Sequence, residues 1–299
     1  MIELTSPKVG SFPFSLLKAW SRLWGHVQLL RPPEASLVTL ATLTGAHLAK
    51  VGADAPGALW PMAASNTLLF AASMAFNDAC DAAEDAINKP ARPIPSGRVS
   101  RTEAVVLACL LFAVGVLLAG LVLPRLGAAA AVVVLASFVY SLRLKWIPLT
   151  GNVLVALVTV YPLACWWLVF PRVARLHIGV VLGVFLFRLG AEIVKVSEDF
   201  EGDRACGIRT VATVWSPSFA NRLGVTLLGL ALALCWGLAG IARTSPAFVQ
   251  LLGLSSLLVA AACFRTVFFP RSNDGHALVA VERAVMVLMS IALLLGLRP

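Results

Sequence analysis

The chain has 299 residues, of which 59% are apolar and only 13% charged, and its mean hydropathy is +0.88. A soluble domain of this length is nearer half apolar and a quarter charged, so the composition indicates an integral protein of the lipid bilayer. The net charge of +9 would suit a nucleic-acid partner, but no basic stripe with interleaved aromatic residues occurs. In a membrane chain, basic residues more often mark cytoplasmic loops and contacts with anionic lipid or phosphate.

The first 33 residues predict an N-terminal interfacial segment, which precedes the spans of a single transmembrane domain over 1–299. The stretch FPFSLLKAWSRLWGHVQLL (12–30) is typical of an amphipathic helix at the membrane surface. Its aromatic and basic side chains suit the boundary and the lipid headgroups: Trp20, Trp24, Lys18 and Arg22. No basic start leads into an apolar core, so we expect no cleavable signal peptide.

Runs without charge predict the transmembrane helices, because a helix needs about 20 mostly apolar residues to cross a bilayer. We interpret the sixth run as continuing past Arg188 to about 195 and the ninth as starting before Arg283. All spans are expected to be α-helical, since backbone exposed to lipid must satisfy its own hydrogen bonds. The result is an all-α protein with nine predicted spans, over 35–49, 55–77, 104–124, 126–142, 146–171, 176–187, 223–242, 244–264 and 284–297.

The distribution of Lys and Arg predicts the orientation of these spans. With the N-terminus inside, the inner segments carry 16 Lys and Arg and the outer segments carry 6, which favours this orientation. Two long acidic segments, 78–103 and 196–222, are then both predicted on the cytoplasmic side.

Eight of the fifteen acidic residues fall within two short windows, 78–85 and 198–203. In the first window, Asp78, Asp81 and Asp85 have the spacing i, i+3, i+7, so on a helix they share one face. Asn77 adjoins this row. Like charges arranged in this way repel each other, and a positive partner is therefore expected between them.

The second window repeats the pattern. Asp199 and Asp203 are four residues apart on one helical face, and Glu192 lies seven residues before Asp199 on the same face. Carboxylate and amide oxygens suit Mg²⁺, which proteins usually hold with one or two carboxylates plus substrate phosphates. Two facing rows therefore predict a pair of Mg²⁺ ions bridged by a diphosphate.

Basic residues accompany both rows and would contact the remaining phosphate oxygens. Lys89 and Arg92 follow the first row, Lys195 lies beside the second, and Arg143 and Lys145 end the fourth span after Tyr140. Solvated loop charge at a membrane boundary is the alternative interpretation of a single acidic run, but two matched rows on one side favour a binding site.

Other candidate groups carry less signal. The four histidines share no ligand spacing, and the six scattered cysteines form no CxxC pair, so neither a zinc site nor a disulfide framework is expected. Asn152, after Gly151, fits equally well as a site amide or as a polar residue in helix packing.

Taken together, the two motifs and their flanking segments resemble the UbiA superfamily of intramembrane prenyltransferases over essentially the whole chain. The first motif reads NDxxDxxxD from Asn77 to Asp85 and continues as INKPARPIPSGRVS (87–100). The second motif is EIVKVSEDFEGDRACGIRT (192–210), and YSLRLKWIPLTGN (140–152) is similar to the segment that joins helices four and five in the family.

The resemblance implies Mg²⁺-dependent transfer of a prenyl group from a polyprenyl diphosphate to a lipophilic acceptor. It implies a ring of nine helices around a central cavity that opens laterally to lipid. The residues implied to hold the metals and the diphosphate are Asn77, Asp78, Asp81, Asp85, Asp199 and Asp203, of which the four at 78, 81, 199 and 203 are the expected catalytic carboxylates. The resemblance implies that Arg92, Arg143 and Lys145 contact diphosphate oxygens. The other predicted substrate-binding residues follow from their positions beside the motifs and are Lys89, Tyr140, Asn152, Glu192 and Lys195.

The acceptor stays open at this point. The second motif resembles digeranylgeranylglyceryl phosphate synthases, whose acceptor is a glycerophosphate ether lipid, and also chlorophyll synthases. Val196 departs from both, since those groups usually have Asp there, and VATVW (211–215) replaces their usual ending. An aromatic or chlorophyllide-type acceptor, cyclisation of the prenyl diphosphate, and a polytopic transporter with an intramembrane cation site are the alternatives.

Overall fold

The computed structural model describes residues 14–49, 56–170, 175–241, 244–268 and 274–296, and these residues form α-helices joined by short connections. The all-α prediction is confirmed. The helices are α1 (Phe14–Leu29), α2 (Pro32–Leu48), α3 (Pro56–Cys80), α4 (Ala82–Asn88), α5 (Arg101–Val122), α6 (Pro124–Leu142), α7 (Thr150–Ala164), α8 (Arg175–Glu198), α9 (Phe200–Ala205), α10 (Val211–Val214), α11 (Pro217–Ile241), α12 (Pro246–Phe268) and α13 (Asp274–Gly296).

Within the described residues, six helical segments are long and apolar enough to cross a membrane. They are Arg101–Val122, Pro124–Leu142, Thr150–Leu168, Arg175–Ser197, Pro217–Ile241 and Pro246–Arg265. The predicted count of nine spans stays a prediction. The stretch predicted to be interfacial is helical as α1, and Leu16, Trp20 and Leu23 are among its exposed apolar side chains. Its location at a membrane surface also stays a prediction.

The long helices pack in chain order and close into a ring. Each of α2, α3, α5, α6, α7, α8, α11, α12 and α13 contacts the next, and α13 returns to contact α2. Such a ring buries one face of each helix against its neighbours and leaves the other toward lipid. Leu110, Leu121 and Leu257 are examples of the outward-facing apolar residues. The ring predicted by the family resemblance is therefore the observed arrangement.

Helices α8 and α11 make a close contact, where small residues let the two backbones approach. A Cβ atom placed on Gly190 would lie 2.8 Å from the carbonyl oxygen of Gly224, and one on Gly224 would lie 2.7 Å from that of Gly190. No side chain fits at either position without moving a helix. The contact holds α8, which leads into the second acidic motif, against α11.

An apolar cavity of about 990 Å³, including the space at its mouth, lies between α2, α7, α8, α11, α12 and α13. Gly183, Phe187, Ala231, Leu252 and Met289 are among the lining residues. The part of α8 that borders the cavity is its N-terminal half, from Leu176 to Phe187, whereas the acidic motif is at its C-terminal end. The cavity and the acidic motifs therefore occupy different levels along the same helix.

Candidate active site

Both acidic motifs lie where a long helix breaks into a short one. Helix α3 ends next to Asp81, after which α4 begins, and α8 ends next to Asp199, after which α9 begins. The two breaking residues have almost the same backbone angles, φ −87°, ψ 7° at Asp81 and φ −81°, ψ 5° at Asp199. In both motifs the N–H of the later aspartate, Asp85 or Asp203, donates to the carbonyl oxygen of the breaking residue at 2.8 Å.

The two breaks meet at one end of the ring. Helix α4 packs against α9, and the Nζ atom of Lys89 lies 3.8 Å from Oδ1 of Asp199. The motifs are separated by more than a hundred residues, yet the structure brings their carboxylates to one region. The prediction that both acidic segments lie on the same side of the protein therefore matches this geometry.

Arginines hold the buried carboxylates of the first motif. The guanidinium of Arg31 donates to Oδ1 of Asp78 at 2.7 Å, and that of Arg92 donates to Asp78 at 3.1 Å and to Asp85 at 2.5 Å. Burial opposes the charge of Arg92, but Asp78 and Asp85 outweigh it and raise the pKa of Arg92 above its usual value. Burial likewise raises the pKa of Asp85, although Arg92 counteracts this.

A lysine from the α6–α7 connection holds the remaining carboxylates of the first motif. Lys145 Nζ donates to Asp81 and to Oε1 of Glu84, the latter at 3.1 Å. Asn77 Nδ2 donates to Oδ2 of Asp81 at 2.6 Å, and the hydroxyl of Ser141 donates to Oδ1 of Asn77 at 3.3 Å. Burial works against the charge of Lys145, yet its hydrogen bond to Asp81 helps to raise the pKa of the ammonium.

The second motif has less compensating charge. Burial, followed by the neighbouring carboxylates of Asp199 and Glu84, raises the pKa of Asp203 to about 7. Lys89 and Lys145 act in the opposite direction but do not cancel the effect. A carboxylate in such surroundings would be stabilised as an anion by an added cation.

Glu192 lies on α8 between Phe187, which lines the apolar cavity, and Asp199 at the second break. Arg188 donates to Oε1 of Glu192 at 2.6 Å, and Lys195 Nζ lies 3.9 Å from Oε2. Asn152 Nδ2 donates to the backbone carbonyl of Glu192 at 3.5 Å, which places this amide beside the site. Tyr140 is close enough to interact electrostatically with Glu192 and with both motifs.

Not every predicted substrate-binding residue is engaged by the motifs. Arg143 is exposed and makes no ion pair among the residues that the structure describes. Val196, the departure from the family pattern, packs against an apolar cluster that includes Ile193, Val211 and Ala220. The apolar side chain at 196 therefore has an apolar environment in this fold.

Sequence reasoning missed several groups that the structure brings to the site. Arg31 carries a positive φ of 47° ahead of α2, and this backbone turn accompanies its approach to Asp78. Arg188 pairs with both Glu192 and Glu282. A charge within a predicted span was the signal for Arg188, because ionisable residues at that depth are rarely without function. Glu84 belonged to the first window and was left out of the predicted site.

The donor set fits Mg²⁺ in part. Hard oxygen donors from the two motifs meet near Asp203, where the nearby lysines do not offset burial and the neighbouring carboxylates. Across the described ranges, no three His, Cys, Asp or Glu side chains converge on one point as a complete metal site. This arrangement fits ions that take only one or two carboxylates each and complete their coordination with phosphate oxygens.

Comparison with known proteins shows the family of the chain. The model of the UbiA prenyltransferase family matches residues 38–293. The chain is 37% identical over 292 residues to the digeranylgeranylglyceryl phosphate synthase of Ignicoccus hospitalis, covering 94% of this chain and 92% of the relative.

Solved structures share the fold at lower identity. The apo structure of a UbiA homolog from Aeropyrum pernix superimposes with a TM-score of 0.72 at 19% identity, covering 87% of this chain and 96% of that one. A UbiA homolog from Archaeoglobus fulgidus, bound to GPP and Mg²⁺, gives a TM-score of 0.67 at 17% identity, covering 90% and 99%. With the family model and the synthase relative, these matches show that the chain belongs to the UbiA prenyltransferase family.

Proposed function

We propose that this chain transfers a geranylgeranyl group from its diphosphate to a glycerophosphate ether lipid. The observation that carries the proposal is the meeting of two broken-helix carboxylate motifs, with Lys89 and Lys145 among them, above an apolar cavity. The similarity to a synthase named for this product supports the choice of a glycerophosphate acceptor.

The carboxylates of the two motifs would hold Mg²⁺. Asp81 and Asp199 are the more accessible candidates, with side chains 16% and 34% exposed, and Asn77 and Asp203 lie beside them. The pairs with Arg31 and Arg92 engage Oδ1 of Asp78 and Oδ2 of Asp85, so the other oxygen of each carboxylate would be the one that reaches a metal. When bound, Mg²⁺ supplies positive charge against the diphosphate.

The basic side chains would stabilise the diphosphate as it leaves. Lys89, Arg92, Arg143 and Lys145 can donate to phosphate oxygens, and such donors favour the transition state, in which negative charge grows on the leaving group. Lys145 already lies against Asp81. Its ammonium would therefore contact metal-bound carboxylate and phosphate together.

The apolar cavity would take the isoprenoid chain. Phe187, which lines it, lies twelve residues before Asp199 on α8, or about 18 Å along the helix. A long prenyl chain whose diphosphate sits at Asp199 would therefore extend into the cavity. Dry apolar walls also protect the allylic cation from water. The charge distribution supports a cytoplasmic location for the diphosphate end and for the N-terminus.

Purified protein incubated with Mg²⁺ and geranylgeranyl diphosphate tests the proposal, with products identified by mass spectrometry. The acceptors are a geranylgeranylated glycerophosphate, a quinone head group and a chlorophyllide, each in a separate reaction. We expect an ether product with the glycerophosphate alone. Product with another acceptor reassigns the substrate, and a cyclic hydrocarbon formed without acceptor indicates a cyclase. No diphosphate release under any condition contradicts both enzymatic functions.

A further inference from the structure

Three charged side chains lie inside the ring, below the acidic motifs. Arg188, Glu192 and Glu282 are each only 13–15% exposed, and Arg188 pairs with both glutamates, linking α8 to α13. Charges at this depth in a membrane protein are costly and are retained at functional sites. Neither the metal motifs nor the apolar cavity accounts for them.

Three residues along and just beyond α8 lie in the same order as the three parts of a prenyl diphosphate: the diphosphate, the reacting carbon and the isoprenoid chain. Asp199 lies at the diphosphate end, and Phe187 borders the cavity for the chain. Glu192 lies between them, seven residues or about 10 Å from Asp199. The atom between diphosphate and chain is C1, the carbon that is attacked. Glu192 is therefore at the level of the reacting carbon.

Glu192 carries a proton-accepting carboxylate, whereas the polar groups around it on α6, α7 and α8 do not accept a proton readily. Asn152 has no basic nitrogen or oxygen, and Tyr140 accepts a proton only after losing its own. Arg188 and Lys195 are cations. They also balance the charge of the Glu192 carboxylate, so that it adds little repulsion toward a diphosphate. Arg31 lies close enough to act on it electrostatically as well.

We propose that Glu192 accepts the proton of the acceptor hydroxyl, with Arg188 and Glu282 as positioning residues; this inference rests on the proposed function. The bond between C1 and the diphosphate oxygen breaks, and its electron pair leaves with diphosphate. A lone pair of the acceptor oxygen forms the new C1–O bond. The O–H electron pair stays on that oxygen as the proton passes to a Glu192 carboxylate oxygen. The products are an ether, diphosphate and a protonated Glu192, which returns its proton to solvent.

The test measures how each consumed donor is divided between ether and free prenol, the product of capture by water. For Glu192→Gln we expect transfer to fall at least 30-fold and the ratio of ether to prenol to fall at least tenfold. A positioned carboxylate contributes on this scale to proton transfer. Glu201→Gln, an exposed acid in α9, is the matched control and should keep the wild-type ratio.

A thiol analogue of the acceptor provides a second measurement. Because a thiol is far more acidic than an alcohol, it needs less help in losing its proton, and we expect it to restore at least a third of the wild-type ratio in Glu192→Gln. If that variant is not recovered folded, Glu192→Asp decides. The shorter aspartate side chain keeps the charge but moves the carboxylate oxygens away from the acceptor hydroxyl. The ratio of ether to prenol should therefore fall at least threefold.

An unchanged ratio of ether to prenol in folded Glu192→Gln, or in Glu192→Asp where the first variant is not recovered, overturns the proposal, whatever the overall rate. Equal loss of ether and prenol does so too, because it indicates a role in binding or folding. Failure of the wild-type protein to form ether from a glycerophosphate is a different result. It contradicts the proposed function itself, and the role of Glu192 falls with it.

Discussion

Lys89, four residues after the end of the first acidic motif, reaches the second, with its Nζ atom 3.8 Å from Oδ1 of Asp199. Both side chains are more than a third exposed, so water screens the pair and it contributes little to stability. Because this cation contributes little to the stability of the fold, its ammonium is available to a phosphate ligand. The pair is therefore better explained by substrate binding than by folding.

Lys89→Met tests this explanation. We expect KM for the prenyl diphosphate to rise about tenfold, because one charge-assisted hydrogen bond to phosphate is lost. The Tm in detergent should stay within about 1 °C, since the exposed pair stabilises the fold little. Lys18→Met, on exposed α1, is the matched control with unchanged KM. A Tm that falls while KM is unchanged would assign Lys89 to the fold.

Removal of one carboxylate from either motif should abolish turnover. For Asp81→Ala and Asp199→Ala we expect losses of at least about 100-fold in kcat/KM, because each removes a hard oxygen donor opposite the leaving group. Circular dichroism and gel filtration check that the variants fold. The exposed Glu201→Ala in α9 controls for loss of negative charge and should remain within about twofold. Substantial activity in either aspartate variant would contradict the two-motif site.

The raised pKa of Asp203 predicts a pH-dependent stability. In the unfolded chain an aspartate titrates near pH 4, whereas burial brings the pKa of Asp203 to about 7 in the fold. Ionisation therefore disfavours the metal-free fold progressively as pH rises from about 4 to about 7. In EDTA, Asp203→Asn should raise Tm relative to wild type, and the difference should be larger at pH 8 than at pH 5. A difference independent of pH would contradict the assignment.

Added Mg²⁺ extends this experiment. It should raise the Tm of the wild type more at pH 8 than at pH 5, because a metal binds the ionised carboxylate. In Asp203→Asn the dependence on pH should largely disappear. Ca²⁺ is a suitable comparison, since it accepts oxygen ligands in a looser geometry.

The glycine contact between α8 and α11 predicts a strong effect of small changes. Gly224→Val should lower stability by about 1–3 kcal/mol or prevent folding, because a Cβ there meets Val194 Cγ2 at 2.5 Å and the carbonyl oxygen of Gly190 at 2.7 Å. Gly229→Val, five residues later on α11 with open space around it, is the matched control. Equal Tm values for the two variants would show that α8 and α11 separate easily.

The cavity predicts how donor length is selected. Gly183→Phe should fill space beside Cys235 and shift the preference from geranylgeranyl toward farnesyl or geranyl diphosphate. The change should appear as at least a tenfold shift in the ratio of kcat/KM values, with activity on the shorter donor retained. Gly237→Phe, at an exposed position on α11, should leave the ratio unaltered. A uniform loss on all donors would argue against a chain site here.

The spacing of the carboxylates predicted much of the site because the backbone stays nearly helical through both breaks. The bonds from Asp85 to Asp81 and from Asp203 to Asp199 preserve the four-residue period that the sequence shows. The segment after the first motif behaves in the same way. Its prolines restrict the chain to turns, and these direct Arg92 back to Asp78 and Asp85.

Other features of the site have no signal in the sequence around them. No Gly or Pro marks the breaks at Asp81 and Asp199, so tertiary packing of α4 and α9 determines them. Arg31 reaches Asp78 through a left-handed backbone conformation that its neighbours do not encode. The pairing of Arg188 with Glu282 depends on the ring bringing distant helices together.

The closure of the ring by α13 has a consequence for biosynthesis. Two adjacent residues of this last helix, Glu282 and Arg283, bind Arg188 of α8 and Glu34 of α2. Until the ribosome has made α13, a cation inside the unfinished bundle has only one of its two carboxylate partners. The charge pairing of Arg188 is therefore complete only after α13 has been synthesised and packed into the ring. A product without α13 would leave Arg188 with Glu192 as its partner and would leave Glu34 without its pair to Arg283.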